Sequence, residues 1–141
     1  MQPQARTAAD FNELGKGRLP GLIGLEITAI SEKRIEGRLQ IRPELLAPNG
    51  YLHGGTVIAM ADSCCGYGTF ATLPTGATGF TTIELKSNFL ATTRDGVIRC
   101  VAKPCHLGRS TQVWDATVTR DGADRPLARF SCTQLILWPR P

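Results

Sequence analysis

Between residues 34 and 42 apolar and polar side chains alternate, with Ile35, Gly37, Leu39 and Ile41 on one parity and Glu36, Arg38, Gln40 and Arg42 on the other. That period marks a half-buried strand. A turn at Glu32-Lys33 joins it to an apolar run over 22–31, so the two are predicted to form a hairpin. Further runs of strand character occupy 79–90, 97–103, 111–120 and 127–137. Turn signals at Thr93-Arg94-Asp95-Gly96 and Asp121-Gly122-Ala123-Asp124 link neighbouring runs directly, which predicts antiparallel pairing.

The period changes once. Residues 55–73 are apolar on nearly every side and rich in small residues such as Ala59, Ala61, Gly66 and Gly68, the composition of a helix enclosed by other structure. Pro74-Thr75-Gly76 ends it. A shorter helix is predicted over 7–16, with Thr7 or Asp10 near its start and Phe11 and Leu14 as its packing pair. The order β-β-α-β-β-β-β has no repeat of strand and helix, which excludes a doubly wound parallel sheet. It predicts an α+β fold in which one curved antiparallel β-sheet wraps around one long central helix. Gly66-Tyr-Gly68-Thr-Phe-Ala71, with Glu84 farther on, imitates a dinucleotide fingerprint. It falls inside the helix instead of at a strand-to-helix turn, so its glycines are read as close-packing points.

A chain of 141 residues with 42% hydrophobic composition suits one domain, read here as a lead-in over 1–21, a domain over 22–138 and a tail over 139–141. The formal charge of +4 favours an anionic ligand, but the basic residues form no stripe with interleaved aromatics, so no nucleic-acid partner is expected. Neither a signal peptide nor a membrane span is legible, and the expected location is the cytoplasm. Five cysteines (Cys64, Cys65, Cys100, Cys105 and Cys132) lie among apolar neighbours and are expected to be buried structural thiols. No metal is expected, because there is no Cys-x-x-Cys and only His53 and His106 offer imidazole.

The chemistry concentrates in one stretch, Tyr51-Leu-His-Gly-Gly-Thr-Val-Ile-Ala-Met-Ala-Asp62. A helix beginning at Gly54 or Gly55 presents unpaired N–H groups and a positive dipole end, an oxyanion donor. Asp62 is the only charged residue between Gly54 and Leu73 and returns to nearly the same helical face. A rise of roughly 1.5 Å per residue places it roughly 10 Å from the helix start, too far for both to act on one carbonyl. Two antiparallel copies across a two-fold axis would bring Gly55 of one chain opposite Asp62 of the other, which predicts a homodimer with composite sites.

His53-Gly54-Gly55 followed by Asp62, in this strand order, resembles the hotdog-fold acyl-CoA thioesterases of the PaaI and 4-hydroxybenzoyl-CoA thioesterase type. The resemblance implies hydrolysis of an acyl- or arylacyl-coenzyme A to free acid and coenzyme A, with no metal or organic cofactor, in a homotetramer. It assigns Asp62 as general base or nucleophile and the Gly54/Gly55 helix start as oxyanion donor; His53, directly before that start, is a catalytic candidate that either orients the loop or transfers a proton. The strand 81–90 and the turn Gly108-Arg109-Ser110 supply Thr82, Lys86, Arg109 and Ser110 as expected contacts of the coenzyme. Two positions depart from the pattern. The Asn or Gln that often stands six residues before the histidine is Ala47, with Asn49 nearby to take its role, and a Ser or Thr four residues after the acid is Gly66. The rival readings are an enoyl or hydroxyacyl thioester hydratase-dehydratase, which would need His53 to reach substrate, and a non-catalytic acyl-CoA sensor, which would not need Asp62.

Overall fold

The computed structural model describes residues 6–31 and 33–141. Its elements are helices α1 (Ala8–Gly15) and α2 (Leu19–Leu22), strands β1 (Glu26–Ser31) and β2 (Arg34–Gln40), helix α3 (Gly54–Ala71), and strands β3 (Gly79–Phe89), β4 (Val97–Leu107), β5 (Thr111–Arg120) and β6 (Pro126–Leu137). The six strands form one antiparallel sheet in the order β1-β2-β4-β5-β6-β3. The curved sheet and its central helix are those predicted from the alternation and from the one long apolar stretch.

Helix α3 crosses the inner face of the sheet and packs against β2 through β6. Met60, Cys64 and Cys65 meet a core that includes Ile98, Cys100, Trp114, Val118 and Phe130. Helix α1 closes one end of this core. Its start is a capping box between Thr7 and Asp10, and Phe11 places its ring 4.7 Å from that of Tyr67 on α3. Leu14, expected to pack beside Phe11, is instead exposed, and Gly15 takes the buried position.

Several boundaries differ from the sequence reading, each for a local reason. The run 22–31 begins as the helical turn α2, opened by Pro20 and closed by Gly24 at φ +79°, so β1 starts only at Glu26. Strand β4 continues past Lys103 through Pro104, because a bulge between Pro104 and His106 accommodates a residue with no N–H to give. The turn at 93–96 does not join neighbours. Strand β3 lies beside β6 at the sheet edge, and the chain then crosses to β4, donating from Leu90 N to Leu127 O and accepting from Leu52 N at Thr93 O. That crossing segment braces the loop before α3.

The glycines of the false fingerprint are packing points. A Cβ at Gly68 would stand 2.4 Å from Cη2 of the buried Trp114 indole, whereas one at Gly66 would stand 3.3 Å from Phe80 Cζ. Gly68→Ala is therefore expected to cost about 1–3 kcal/mol of stability through overpacking. Gly66→Ala should be near neutral, because the gain in helix propensity, up to about 1 kcal/mol, offsets a small adjustment of Phe80. Urea denaturation of the two variants checks the contrast.

Candidate active site

The site begins at the residue that starts α3. His53 has extended backbone (φ −69°, ψ 132°) and caps the helix with its ring, Nδ1 accepting the Gly55 N–H at 2.7 Å. Its own N–H donates to Leu45 O, and the Thr56 hydroxyl donates to the same carbonyl at 2.9 Å. His53 is thus fixed from both sides, in the loop-orienting role the sequence suggests. With Nδ1 occupied as an acceptor, the neutral ring carries its proton on Nε2.

This cap separates the two glycines. The Gly55 N–H is taken by His53, while the Gly54 N–H has no acceptor among the described residues. Gly54 is also the closer approached of the two from β3, since a Cβ there would stand 3.0 Å from Phe89 Cζ. The unpaired donor at the positive end of α3 is therefore that of Gly54.

Asp62 stands eight residues along the same helix, half-buried and without an ion-pair partner among the described residues. Thr82 on β3 places its hydroxyl 3.2 Å from Asp62 Oδ1. Burial pushes the carboxyl above its ordinary value, and the hydrogen bond from Thr82 opposes the rise. The half-buried positions Ile58, Ala59, Asp62, Ser63 and Gly66 form a stripe along α3, so the helix is not enclosed on every side as its composition suggested.

The other expected residues fall in different places. Thr82, expected at the coenzyme, is beside the acid. Asn49 is exposed and folds its side-chain oxygen back onto the Tyr51 N–H at 3.1 Å, with no hydrogen bond to His53 or Asp62. Lys86 pairs in register with Ser131 on the outward parity of β6, so it lies on the face of the sheet opposite to α3. Arg109 and Ser110 sit on the β4–β5 turn, which is anchored to β6 by the Ile136 N–H donating to Ser110 O. The Arg109 guanidinium lies 4.1 Å over the Trp138 ring and remains exposed. One chain brings together Asp62 and Thr82 but not these cations.

Simple alternation with Lys86 would set Ile83, Leu85 and Phe89 facing inward on β3, and the structure corrects this. A bulge between Thr82 and Glu84 shifts the parity, leaving Ile83 outside the ladder and 56% exposed. Leu85 and Phe89 do pair with the inward residues Cys132 and Ala128, yet they remain 40% and 52% exposed because β3 is an edge strand.

Two residues absent from the sequence reading matter here. Gln112 and Gln134 face each other in register on β5 and β6, and both are fully buried on the helix side of the sheet. Gln134 reaches Thr82, and Gln112 accepts from Trp114 Nε1 and meets Thr72 at the end of α3. The signal was present in the alternation, where each glutamine occupies a parity otherwise held by apolar residues such as Phe130, Cys132 and Ile136.

All but one of the cysteines are core residues. Cys64, Cys65, Cys100 and Cys132 are buried and free, and hydrogen bonding to Cys132 and burial push the Cys65 thiol well up. Cys105 is exposed, against expectation, because it lies at the β4 bulge; hydrogen bonding to Asp115 raises its thiol to about 11. Among the described residues no three His, Cys, Asp or Glu side chains gather as a metal site, and no helix is long and apolar enough to cross a membrane.

Comparison with known proteins agrees with this fold. The family model described as the thioesterase superfamily matches residues 49–126, from the loop before His53 to the start of β6. The chain is 30% identical to a 1,4-dihydroxy-2-naphthoyl-CoA hydrolase of Listeria monocytogenes over 79% of its length and 89% of the relative's. It is 27% identical to the Escherichia coli protein of the same name over 79% of its length and 82% of the relative's. A mutant thioesterase from Pseudomonas aeruginosa superimposes with a TM-score of 0.89 at 25% identity, covering 95% of this chain and 96% of that one. With its antiparallel sheet wrapped around one long helix, its helix-capping His-Gly-Gly and the one acid of α3, this chain belongs to the thioesterase superfamily and is a thioester hydrolase of the hotdog fold.

Proposed function

We propose that the substrate is an acyl- or arylacyl-coenzyme A, cleaved with water to the free acid and coenzyme A by Asp62 and the Gly54 N–H. The observation that carries this reading is the lone, half-buried Asp62 carboxylate on a helix whose start holds an unpaired donor. The Gly54 N–H stabilises the negative charge that develops on the thioester oxygen. Asp62 either removes a proton from the water that attacks and expels the coenzyme A thiolate, or attacks the carbonyl itself, expelling the thiolate and forming an anhydride that water then opens; in both routes the thiolate takes up a proton and leaves as the free thiol. Single-turnover hydrolysis in heavy-oxygen water separates the two routes, since only the second leaves label in Asp62. The step uses a carboxylate, water and a backbone N–H and asks for no metal or organic cofactor. Because Nδ1 of His53 is engaged by Gly55, a His-based hydratase route finds no support in the geometry.

Two relatives named as hydrolases of 1,4-dihydroxy-2-naphthoyl-CoA direct attention to aromatic acyl groups. Hydrolysis of a panel of aliphatic and aromatic acyl-CoAs, followed by release of free thiol, tests the proposal. Turnover of none of them would overturn the coenzyme A assignment.

The site is proposed to be composite, in a homodimer and by family analogy a homotetramer. Gly54 and Asp62 of one helix are separated by roughly 12 Å of rise. The eleven-residue edge β3 carries exposed Ile83, Leu85 and Phe89 beside Ser87, the only buried side-chain oxygen without a partner among the described residues. An apolar edge of this kind is suited to a second copy.

Arg109 is proposed to meet the phosphates of the coenzyme. It has no carboxylate partner among the described residues, and Trp138 holds its guanidinium in place. A contact far from the reacting carbon acts on binding more than on turnover. Arg109→Ala is therefore expected to raise KM roughly three- to tenfold for a full acyl-CoA, at the cost of about one charge contact. A truncated thioester lacking the nucleotide should be nearly indifferent, and equal effects on both substrates would refute the contact.

A further inference from the structure

Gln134 is wholly buried, at 0% exposure, on a face of β6 where its neighbours on the same parity are Cys132 and Ile136. A carboxamide costs stability there unless each of its groups is satisfied. One terminal atom, placed as Oε1, lies 2.7 Å from Thr82 Oγ1, and the other lies 3.4 Å from Cys132 Sγ. The same Thr82 oxygen is 3.2 Å from Asp62 Oδ1. Thr82 has one proton and, in that arrangement, two acceptors.

The conflict resolves in one way when Asp62 is ionised. A hydrogen bond to a carboxylate is stronger than one to an amide oxygen, so the Thr82 proton goes to Asp62. The Thr82 oxygen then has only acceptor capacity left, and the group beside it must be the amide nitrogen of Gln134. Exchanging the two ends of the amide moves no heavy atom. It also turns the amide oxygen toward Cys132, whose thiol can donate to it. The thiol proton, one amide proton and the hydroxyl proton then each have an acceptor, in a line from Cys132 through Gln134 and Thr82 to Asp62 Oδ1.

We infer that Gln134 is a positioning residue for the hydrolysis, fixing the Thr82 hydroxyl so that it holds one oxygen of Asp62 and leaves the other facing the reaction. This rests on Asp62 being the reactive carboxylate. Gln112, its buried neighbour in register, is the structural counterpart. Its amide nitrogen donates to Thr72 O at 3.1 Å and its oxygen accepts from Trp114, with no link to Asp62.

Loss of the line has a sign. The bond from Thr82 holds the Asp62 carboxyl down against the effect of burial. Removing it raises the carboxyl, so the acid limb of the kcat/KM profile, where a required carboxylate becomes protonated, moves to higher pH. Among the described residues no charged side chain offsets this: α3 has no other charge, the inward residues of β6 are uncharged, and Glu84, Lys86 and Arg129 lie on the outward parity.

The experiment measures kcat, KM and the pH profile for Gln134→Met, Thr82→Val, Thr82→Ser and the Gln134→Met/Thr82→Val double variant, with Asp62→Asn and Gln112→Met as references. Gln134→Met should lower kcat roughly three- to tenfold, the size of one neutral hydrogen bond, leave KM within about twofold and move the acid limb upward as the Thr82 hydroxyl loses its fixed direction. Thr82→Ser, which keeps the hydroxyl, should lose much less than Thr82→Val, and the double variant should be no worse than Thr82→Val alone, because both break one line. Gln112→Met should lower the melting temperature without moving the acid limb. Wild-type kcat and an unmoved limb in folded Gln134→Met, or a double variant that multiplies the two losses, overturns the inference. Should Gln134→Met fail to fold, the isosteric Gln134→Glu decides. As a neutral acid it donates to Thr82 and sustains turnover, and on ionising it presents only acceptors and turnover falls; a profile unchanged from wild type overturns the inference. An active Asp62→Asn would instead remove the reading beneath it, whereas an inactive Asp62→Asn beside an unaffected Gln134 variant removes this inference alone.

Discussion

Asp62→Asn is expected to lower kcat by roughly 10²- to 10⁴-fold while KM changes little, since the amide keeps the shape of the carboxylate and abolishes its basicity. Steady-state hydrolysis of an acyl-CoA checks it, and near-normal turnover would end the assignment. Stability should respond in the other direction. Burial raises the Asp62 carboxyl in the folded chain, so the folded state holds its proton more tightly than the unfolded state does. Any stability from this difference is present at pH below the unfolded value and is lost as pH rises through the folded one. At neutral pH the ionised group is therefore a burden on the fold, and Asp62→Asn should melt no lower than wild type. A residue whose loss impairs turnover although it burdens the fold is there for chemistry. The same shift places the acid limb of the wild-type kcat/KM profile above the ordinary aspartate range.

The helix and its acid were legible because they rest on composition: a stretch of eighteen residues with one charge admits few environments. The sheet was legible where alternation is unbroken, as in β2 and β5. It was not legible at Thr82–Glu84 or Pro104–His106, because a bulge adds one residue and inverts the parity on which the reading depends. The position of β3 beside β6 was hidden as well, since adjacency in sequence favours pairing with β4 and only the tertiary crossing of 90–96 decides otherwise. The difference between Gly54 and Gly55 depends on a single rotamer of His53, which no spacing encodes. Gln134 is the instructive omission, because a glutamine at an inward parity is itself a statement that a polar partner waits inside.

The composite site makes the most demanding prediction. Asp62→Asn leaves Gly54 intact, and Gly54→Val crowds the approach that Phe89 already narrows while leaving Asp62 intact. Each variant alone should be nearly inactive as a homodimer. In a mixed dimer one site combines the intact Gly54 of the first chain with the intact Asp62 of the second, and the other site is doubly broken. Unfolding and co-refolding an equal mixture gives about half mixed dimers by random pairing across a two-fold axis, each with one working site of two. Activity should therefore return to roughly a quarter of wild type. Mass measurement of the exchanged chains and circular dichroism of the parents exclude failure of assembly or folding as the cause of a negative result. If chains exchange and the mixture stays as inactive as its parents, Gly54 and Asp62 do not act together across the interface, and the two-chain site is wrong.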